Sequence, residues 1–164
     1  MVFNASVVNG LFKRVSDYAF ARPTNVMSTK SSTCFEWSVK LVGKGLFHVG
    51  IAAQFKRHMG AIFLYDKNAI LYRSYCGSLS PAISVGSNKI YTSLPKHNTG
   101  DVIRFKFQPH TKKLIINLVR LWKCLYSNLK VKNGQYELDL RDNVFYNPVI
   151  QSFDNDASEA HLVT

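Results

Sequence analysis

Acidic residues are scarce in this chain. It sets 10 Asp and Glu against 21 Lys and Arg, a formal charge of +11 over 164 residues. A balance this far from neutral suits a partner carrying negative charge, whether nucleic acid, an acidic protein or an anionic membrane surface. It equally suits solubility with dispersed lysines. Cysteine is scarce too. Cys34, Cys76 and Cys124 lie far apart and are odd in number, which argues against a disulfide framework and for a reducing compartment. No Cys-x-x-Cys pair is present, so the simplest zinc sites are excluded. No apolar run is long enough to span a bilayer. Residues 1–12 hold no basic residue and are interrupted by Asn4, Ser6, Asn9 and Gly10, so they do not read as a secretory signal. The expected location is intracellular, cytoplasm or nucleus. Repeats and low-complexity linkers are missing, and one domain over residues 1–164 is expected. With 46% hydrophobic and 19% charged residues the composition is globular, and the chain is long enough to bury a core without disulfides or metals.

What is present is alternation. In Val102 to Phe107, Val102, Arg104 and Lys106 share one face and Ile103, Phe105 and Phe107 the other, the pattern of a half-buried strand. Gly100-Asp101 opens it, and the polar turn Gln108 to Lys113 leads to Leu114-Ile115-Ile116 as the second strand of a hairpin. Phe35, Trp37, Val39 and Leu41 alternate with Glu36, Ser38 and Lys40 in the same way. Gly43-Lys44-Gly45 then predicts a tight turn and a hairpin to Leu46–Ala53. Gln54–Gly60 is a basic loop, Ala61–Tyr65 a strand, Asp66-Lys67-Asn68 a turn and Ala69–Tyr75 a strand. Gly77–Asn88, rich in Ser, Gly and Pro, is expected to be loop, with a short strand over Lys89–Ser93. Leu114 to Leu129 reads as a strand followed by an irregular connection. Asn133-Gly134 is a hairpin signal. Tyr136, Leu138 and Leu140 alternate with Glu137, Asp139 and Arg141. Phe145–Phe153 is a last apolar segment broken by Pro148, and Ala160–Val163 is a closing edge strand. Met1–Ala21 fits a short helix or an edge strand. About ten short strands with regular turns and no convincing amphipathic helix predict an all-β antiparallel sandwich.

Catalytic chemistry finds little support. His48, His58, His97, His110 and His161 form no metal-ligand spacing with one another or with carboxylates. His48 falls in a strand, as a core or edge residue. No phosphate-binding glycine loop occurs. Glu137, Asp139 and Asp142 are spaced as a solvated strand face and not as a calcium loop. The expectation is no enzyme activity, no cofactor and no metal.

Two candidate binding surfaces remain. The first is a loop cluster for a protein partner: Lys56, Arg57, His58, Lys67, Tyr72, Arg73, Tyr75, Lys96 and His97. Tyr and Arg combine contact area with directed polar groups. Tyr72 and Tyr75 lie three apart, so one of the two is expected to pack inward. The second is a basic run for RNA or DNA: Arg104, Lys106, Lys112, Lys113, Arg120, Lys123, Lys130 and Lys132. No acid interrupts it from Val102 to Tyr136. Its interleaved aromatics suit stacking on single strands. They also fit a core strand set with lysines lining the solvent face.

Several stretches resemble the SPRY domain, in order, over roughly residues 31–163. They are Phe35-Glu36 with Val39, Val49-Gly50-Ile51-Ala52, Gly100-Asp101-Val102-Ile103 with Leu114-Ile115-Ile116, and Phe145-Tyr146-Asn147-Pro148-Val149. Arg104, Gln108 and Ile116 depart from the family's usual Gly, Asp and Phe, and residues 118–132 are longer than its usual turn. The resemblance implies a bent two-sheet sandwich that recognises peptides or protein surfaces through loops at one end, often inside a larger complex. With the charge, the expected partner is an acidic peptide or protein; RNA or DNA is the alternative. The loop-cluster reading expects Tyr72→Ala or Arg73→Ala to abolish binding without unfolding the domain.

Overall fold

The computed structural model describes residues 2–3, 5–8, 11–14, 19–21, 27–42, 46–53, 66–74, 80–95, 100–122, 130–152 and 159–163. Among these residues, fourteen strands run in chain order. They are β1 (Val2–Phe3), β2 (Ala5–Val8), β3 (Leu11–Arg14), β4 (Ala19–Ala21), β5 (Phe35–Val42), β6 (Phe47–Ala52) and β7 (Ile70–Arg73). They continue with β8 (Ala82–Val85), β9 (Asn88–Tyr91), β10 (Val102–Gln108), β11 (Lys113–Trp122), β12 (Lys130–Asp139), β13 (Asn147–Ser152) and β14 (Glu159–Val163). They form two seven-stranded antiparallel sheets. Sheet I has the order β1-β4-β13-β6-β7-β8-β9, and sheet II the order β12-β11-β10-β5-β14-β3-β2. The expected all-β sandwich is the observed architecture.

The alternation fixes which faces meet. In β10, Ile103, Phe105 and Phe107 are buried while Arg104 is exposed and Val102 and Lys106 are half-buried. In β5, Val39 and Leu41 are buried on the face that also carries Phe35 and Trp37. Trp37 stacks on Phe105 with ring centroids 5.2 Å apart. Phe107 meets Phe35 edge-on at 6.3 Å and Tyr146 at 5.9 Å. Against this inner face of sheet II, sheet I presents Phe47, Val49, Ile51, Ile70, Tyr72, Ile83 and Ile150. Burying side chains of this size stabilises by about 1.5–3 kcal/mol each, which is why alternating strands settle as facing layers.

Several local turn signals yield to long-range pairing. β5 and β6 do not form a hairpin: β5 pairs with β10 and β14, and β6 with β13 and β7. The chain crosses from one sheet to the other between them, because both strands are central and each needs neighbours on two sides. The expected turn at residues 43–45 lies outside the described residues, as do the strand expected at 61–65 and the loop at 54–60. The Ser/Gly/Pro-rich stretch is no loop throughout. Ala82–Val85 is strand β8, turned into β9 through Gly86-Ser87, and Gly86 adopts φ +59° at the first central position. Glycine takes that backbone without strain, and a side chain there would press on the Lys67 backbone at 3.1 Å.

Asn133-Gly134 is not a turn either. Both residues sit inside β12, opposite Val119 and Leu118. Gly134 leaves room for the ring of Tyr136, two residues along; a Cβ there would lie 3.0 Å from the Tyr136 hydroxyl. Ala160–Val163 is not an edge strand, since β14 is inserted between β5 and β3. The N-terminal ambiguity resolves to strands: β1 and β2 form the outer edges of the two sheets.

Gly50 shows how tightly sheet I is closed. It sits in β6 between Val149 and Leu71, and a methyl group there would lie 2.0 Å from the Ile70 carbonyl oxygen. Gly50→Ala is expected to cost at least about 4 kcal/mol or to prevent folding. Gly134→Ala, where only a ring must shift, is expected to cost under about 2 kcal/mol. Urea unfolding of the two variants side by side measures the difference, and equal stabilities would contradict the packing described.

Candidate recognition surface

Strand register brings a set of turns to one end of the sandwich. In sheet I the Ala52, Ile70, Val85, Asn88 and Asn147 ends lie together; in sheet II the Phe35, Gln108, Lys113 and Asp139 ends do. The connection from Asp139 to Asn147 joins the two groups. Five loop segments therefore share this end: 28–34, 66–69, 86–87, 109–112 and 140–146.

The loops are cross-braced. The Tyr146 backbone exchanges hydrogen bonds with Met27, at 2.7 and 2.8 Å. The Tyr146 hydroxyl accepts from the Arg141 amide at 3.0 Å, and burial raises its pKa above the usual phenol value. The Leu140 amide donates to the Lys112 carbonyl at 2.9 Å. Asp142 receives both the Thr29 hydroxyl, at 2.6 Å, and the Lys112 ammonium, at 2.8 Å. These two partners, Lys112 first, hold its carboxyl below the usual carboxylate range. The Arg141 guanidinium donates to Asn68 at 3.3 Å. Asp66 is buried, and its carboxylate accepts the amides of Ala53, at 2.7 Å, and Asn68, at 2.9 Å. It shapes the 66–68 turn as a fixed Asx motif. His110 lies 3.2 Å from the Ser32 carbonyl. Asn143 and Lys112 take left-handed backbones, at φ 59° and 53°. Asn tolerates that region well.

This end is basic and carries one large apolar anchor. At this end Lys30, Lys67, Lys112, Lys113 and Arg141 stand against two exposed carboxylates, Asp139 and Asp142, among the described residues. Phe145, between Arg141 and β13, is 66% exposed. A groove of about 760 Å³ leads away from the end, between the β8–β9 hairpin and β12, with Lys67 and Arg141 among its lining residues. Ile90 is the extra residue of a bulge in β9 and is 52% exposed in this groove. A bulge re-aims a side chain in this way. Tyr91 bridges the edges of the two sheets: its hydroxyl donates to the Glu137 carbonyl at 3.0 Å, and its ring meets Tyr136 at 4.9 Å.

The loop cluster expected from sequence is not one surface. Lys67 belongs to this end and is exposed. Arg73 lies toward the opposite end, opposite His48, with its guanidinium donating to the Ser80 carbonyl at 2.8 Å. Tyr72 is 1% exposed and packs in the core against the inner face of sheet II, so it cannot meet a partner. Lys56, Arg57, His58, Tyr75, Lys96 and His97 lie outside the described residues.

The basic run is spread as well. Arg104 and Lys106 are on the outer face of sheet II, and Lys112 and Lys113 at the loop end. Arg120 sits opposite Lys132, and Trp122 opposite Lys130, toward the far end of β11. Arg120 is about 23 Å from Lys113 along the strand, at roughly 3.3 Å per residue. Lys106 pairs with Glu36 at 3.3 Å, Lys112 with Asp142, and Lys113 with Asp139. The Asp139 contact raises the Lys113 pKa. Lys123 lies outside the described residues. Among the described residues no group of three His, Cys, Asp or Glu side chains is placed to hold a metal ion.

His48 is buried, as a strand residue should be, in a cross-strand row with Gln151 and Arg73. Burial, then the Arg73 charge, lowers its pKa from 6.5 to about 4, partly offset by a hydrogen bond with Gln151.

No family model matches the sequence, and no curated protein does. Solved structures do match. The SPRY domain of human HERC1 superposes with a TM-score of 0.65 at 11% identity, covering 98% of this chain and 92% of that one. The PSpry domain of TRIM65 gives a TM-score of 0.64 at 9% identity, with 98% and 86% coverage. Lectin II from Ulex europaeus gives 0.61 at 14% identity, with 99% and 93% coverage. The fold is therefore SPRY-like, as the motif order implied, within an architecture that legume lectins share.

Two outcomes follow from the buried residues. The unfolded chain takes up a proton on His48 near pH 6.5 and the folded chain only near pH 4. The stability contributed by neutral His48 is complete above pH 6.5 and is lost as pH falls toward 4, by about 3 kcal/mol. His48→Gln should flatten the stability curve in that window in denaturant titrations; an unchanged slope would sink the assignment. Tyr72→Ala should destabilise by about 3–5 kcal/mol in the same assay, so any loss of partner binding in that variant reports unfolding and not a lost contact.

Proposed function

We propose that this chain is a non-enzymatic recognition module, an adaptor or complex subunit, that binds an acidic peptide or protein surface through the loop end of its sandwich. One observation carries the reading: Phe145, two-thirds exposed, shares one end of the sandwich with five cations against two exposed carboxylates, on loops braced to the core. An exposed aromatic at a basic end is the composition of an interface hot spot for a partner with an apolar residue among acids. Bracing lowers the ordering cost of binding. The groove beside β9 adds Ile90 as a second apolar contact, but Glu137 and Asp139 line it beyond Lys67 and Arg141, so the acidic residues of the partner belong at the loop end and not along the groove. The SPRY-like fold supports the reading, because the resemblance implies loop-end recognition of proteins. The nucleic-acid alternative draws less support, since the fold spreads the basic run from the loop end to the far end of β11, about 23 Å away.

Peptide display on the folded chain tests the proposal. Enriched sequences should be acidic with one large apolar residue. Phe145→Ala should weaken the selected peptide by about 30-fold, the effect of a hot spot worth about 2 kcal/mol. Lys67→Glu with Arg141→Glu should weaken it further, with circular dichroism unchanged. Selection of neutral or basic sequences, or full binding by Phe145→Ala, would overturn the loop-end assignment. Salt-steep binding of single-stranded RNA, weakened by Arg104→Ala but not by Phe145→Ala, would instead move the nucleic-acid reading to first place.

A further inference from the structure

The groove between the β8–β9 hairpin and β12 has two unlike walls. The hairpin wall is largely apolar, with Val85 half-buried, Ile90 exposed on its bulge and Tyr91 beside it. The β12 wall is acidic, because its exposed residues there are Glu137 and Asp139. Lys67 and Arg141 stand where the groove opens on the loop end. The charge of that end therefore reverses sign within the groove.

Strand direction sets the order of these groups. β9 leaves the loop end at Asn88, and β12 arrives there at Asp139. The Tyr91 hydroxyl donates to the Glu137 carbonyl at 3.0 Å, which brings Tyr91 and Ile90 level with Glu137 and ties the two walls together. Glu137 precedes Arg141 by four residues, about 13 Å of extended chain at roughly 3.3 Å per residue. The two acids also differ in what they hold. Asp139 is paired with Lys113, whereas among the described residues the Glu137 carboxylate makes no ion pair.

We propose that the partner of the loop end is a bipartite extended peptide: acids at Lys67 and Arg141 and then, about four residues on, an apolar residue against Ile90 and Tyr91 next to a Lys or Arg that pairs with Glu137. An extended chain sends successive side chains to opposite sides, so adjacent apolar and basic residues meet the two walls at once. A segment acidic throughout would set its far half against Glu137 and Asp139, and like charges so placed oppose binding. One exposed ion pair is a weak contact. Selection comes from the three requirements together, acid, apolar residue and base at a fixed spacing. The inference rests on the loop-end reading and adds Glu137 to it as a specificity-determining residue.

A displayed library of random linear peptides tests it, selected in parallel on the full chain and on its Glu137→Gln and Glu137→Lys variants. The unaltered chain should enrich acids with a Lys or Arg about four positions away. Glu137→Gln should keep the acids and lose the preference for a base, and Glu137→Lys should exchange that base for a further acid. In a synthetic copy of the most enriched peptide, replacing its base by Gln should weaken binding about threefold to fivefold on the unaltered chain and leave binding to Glu137→Gln unchanged. Ile90→Ser should weaken the peptide with or without its base. Glu137 and Ile90 are exposed, and a thermal melt of each variant establishes that it is folded. Acidic sequences with no base at that spacing, or a preference for a base that survives Glu137→Gln, overturn this inference and leave the loop-end reading standing. Enrichment without acids, or no enrichment, overturns that reading and this inference with it.

Discussion

Phe107 stands where the two sheets and the loop end meet. It lies on the inner face of β10, fully buried, with Phe35 edge-on from β5 and Tyr146 edge-on from the last loop. Tyr146 in turn ties that loop to Met27 through its backbone and to Arg141 through its hydroxyl. The geometry of the loop end thus depends on an aromatic contact in the core. Edge-to-face pairs of this kind add about 0.5–1.5 kcal/mol each beyond the area they bury. More important here, they fix direction. A loop anchored by one ring into a close-packed core cannot slide along the sheet, and Arg141, Asp142 and Phe145 inherit that fixed position.

The polar groups of the loop end divide by burial into those that set shape and those left for a partner. Asp66 is buried and satisfied by two backbone amides, so it is committed to the turn it makes. Asp142 is exposed and shared between Thr29 and Lys112. Exposed ion pairs contribute little to stability. Lys112 can therefore exchange Asp142 for a ligand carboxylate at small cost to the fold.

Strands whose burial alternates were legible from sequence. β5, β10 and the end of β12 each show period-two patterning, and each buries the face that patterning names. β6 was found but its role was not, because it is buried along its whole length and carries no alternation to show which face meets which layer. The misreadings share one cause. The hairpin expected between β5 and β6 and the turn expected at Asn133-Gly134 rest on turn chemistry read over a few residues, whereas strand partners are settled by burial across the whole chain. Ala160–Val163 looked like an edge because it comes last, yet β14 fills the gap between β5 and β3. The site was less legible still. Lys67 and Arg141 are far apart in sequence and reach one groove only through the β12–β13 connection. Tyr72 and Lys67, close in sequence, part company because a strand sends one side chain to the core and a turn sends the other to solvent.

The net charge was legible, and its distribution was not. A total of +11 suggests one basic face. The fold instead divides its cations between the loop end and the far end of β11, about 23 Å away, well beyond the ~8 Å over which charges interact at physiological salt. Lys30, Lys67, Lys112 and Arg141 act together because loops gather them; Arg120 and Lys132 are at the other end of the same sheet. On the proposed reading, Phe145 adds an aromatic contact to the charge of the loop end, and a partner with an apolar residue among its acids would meet both.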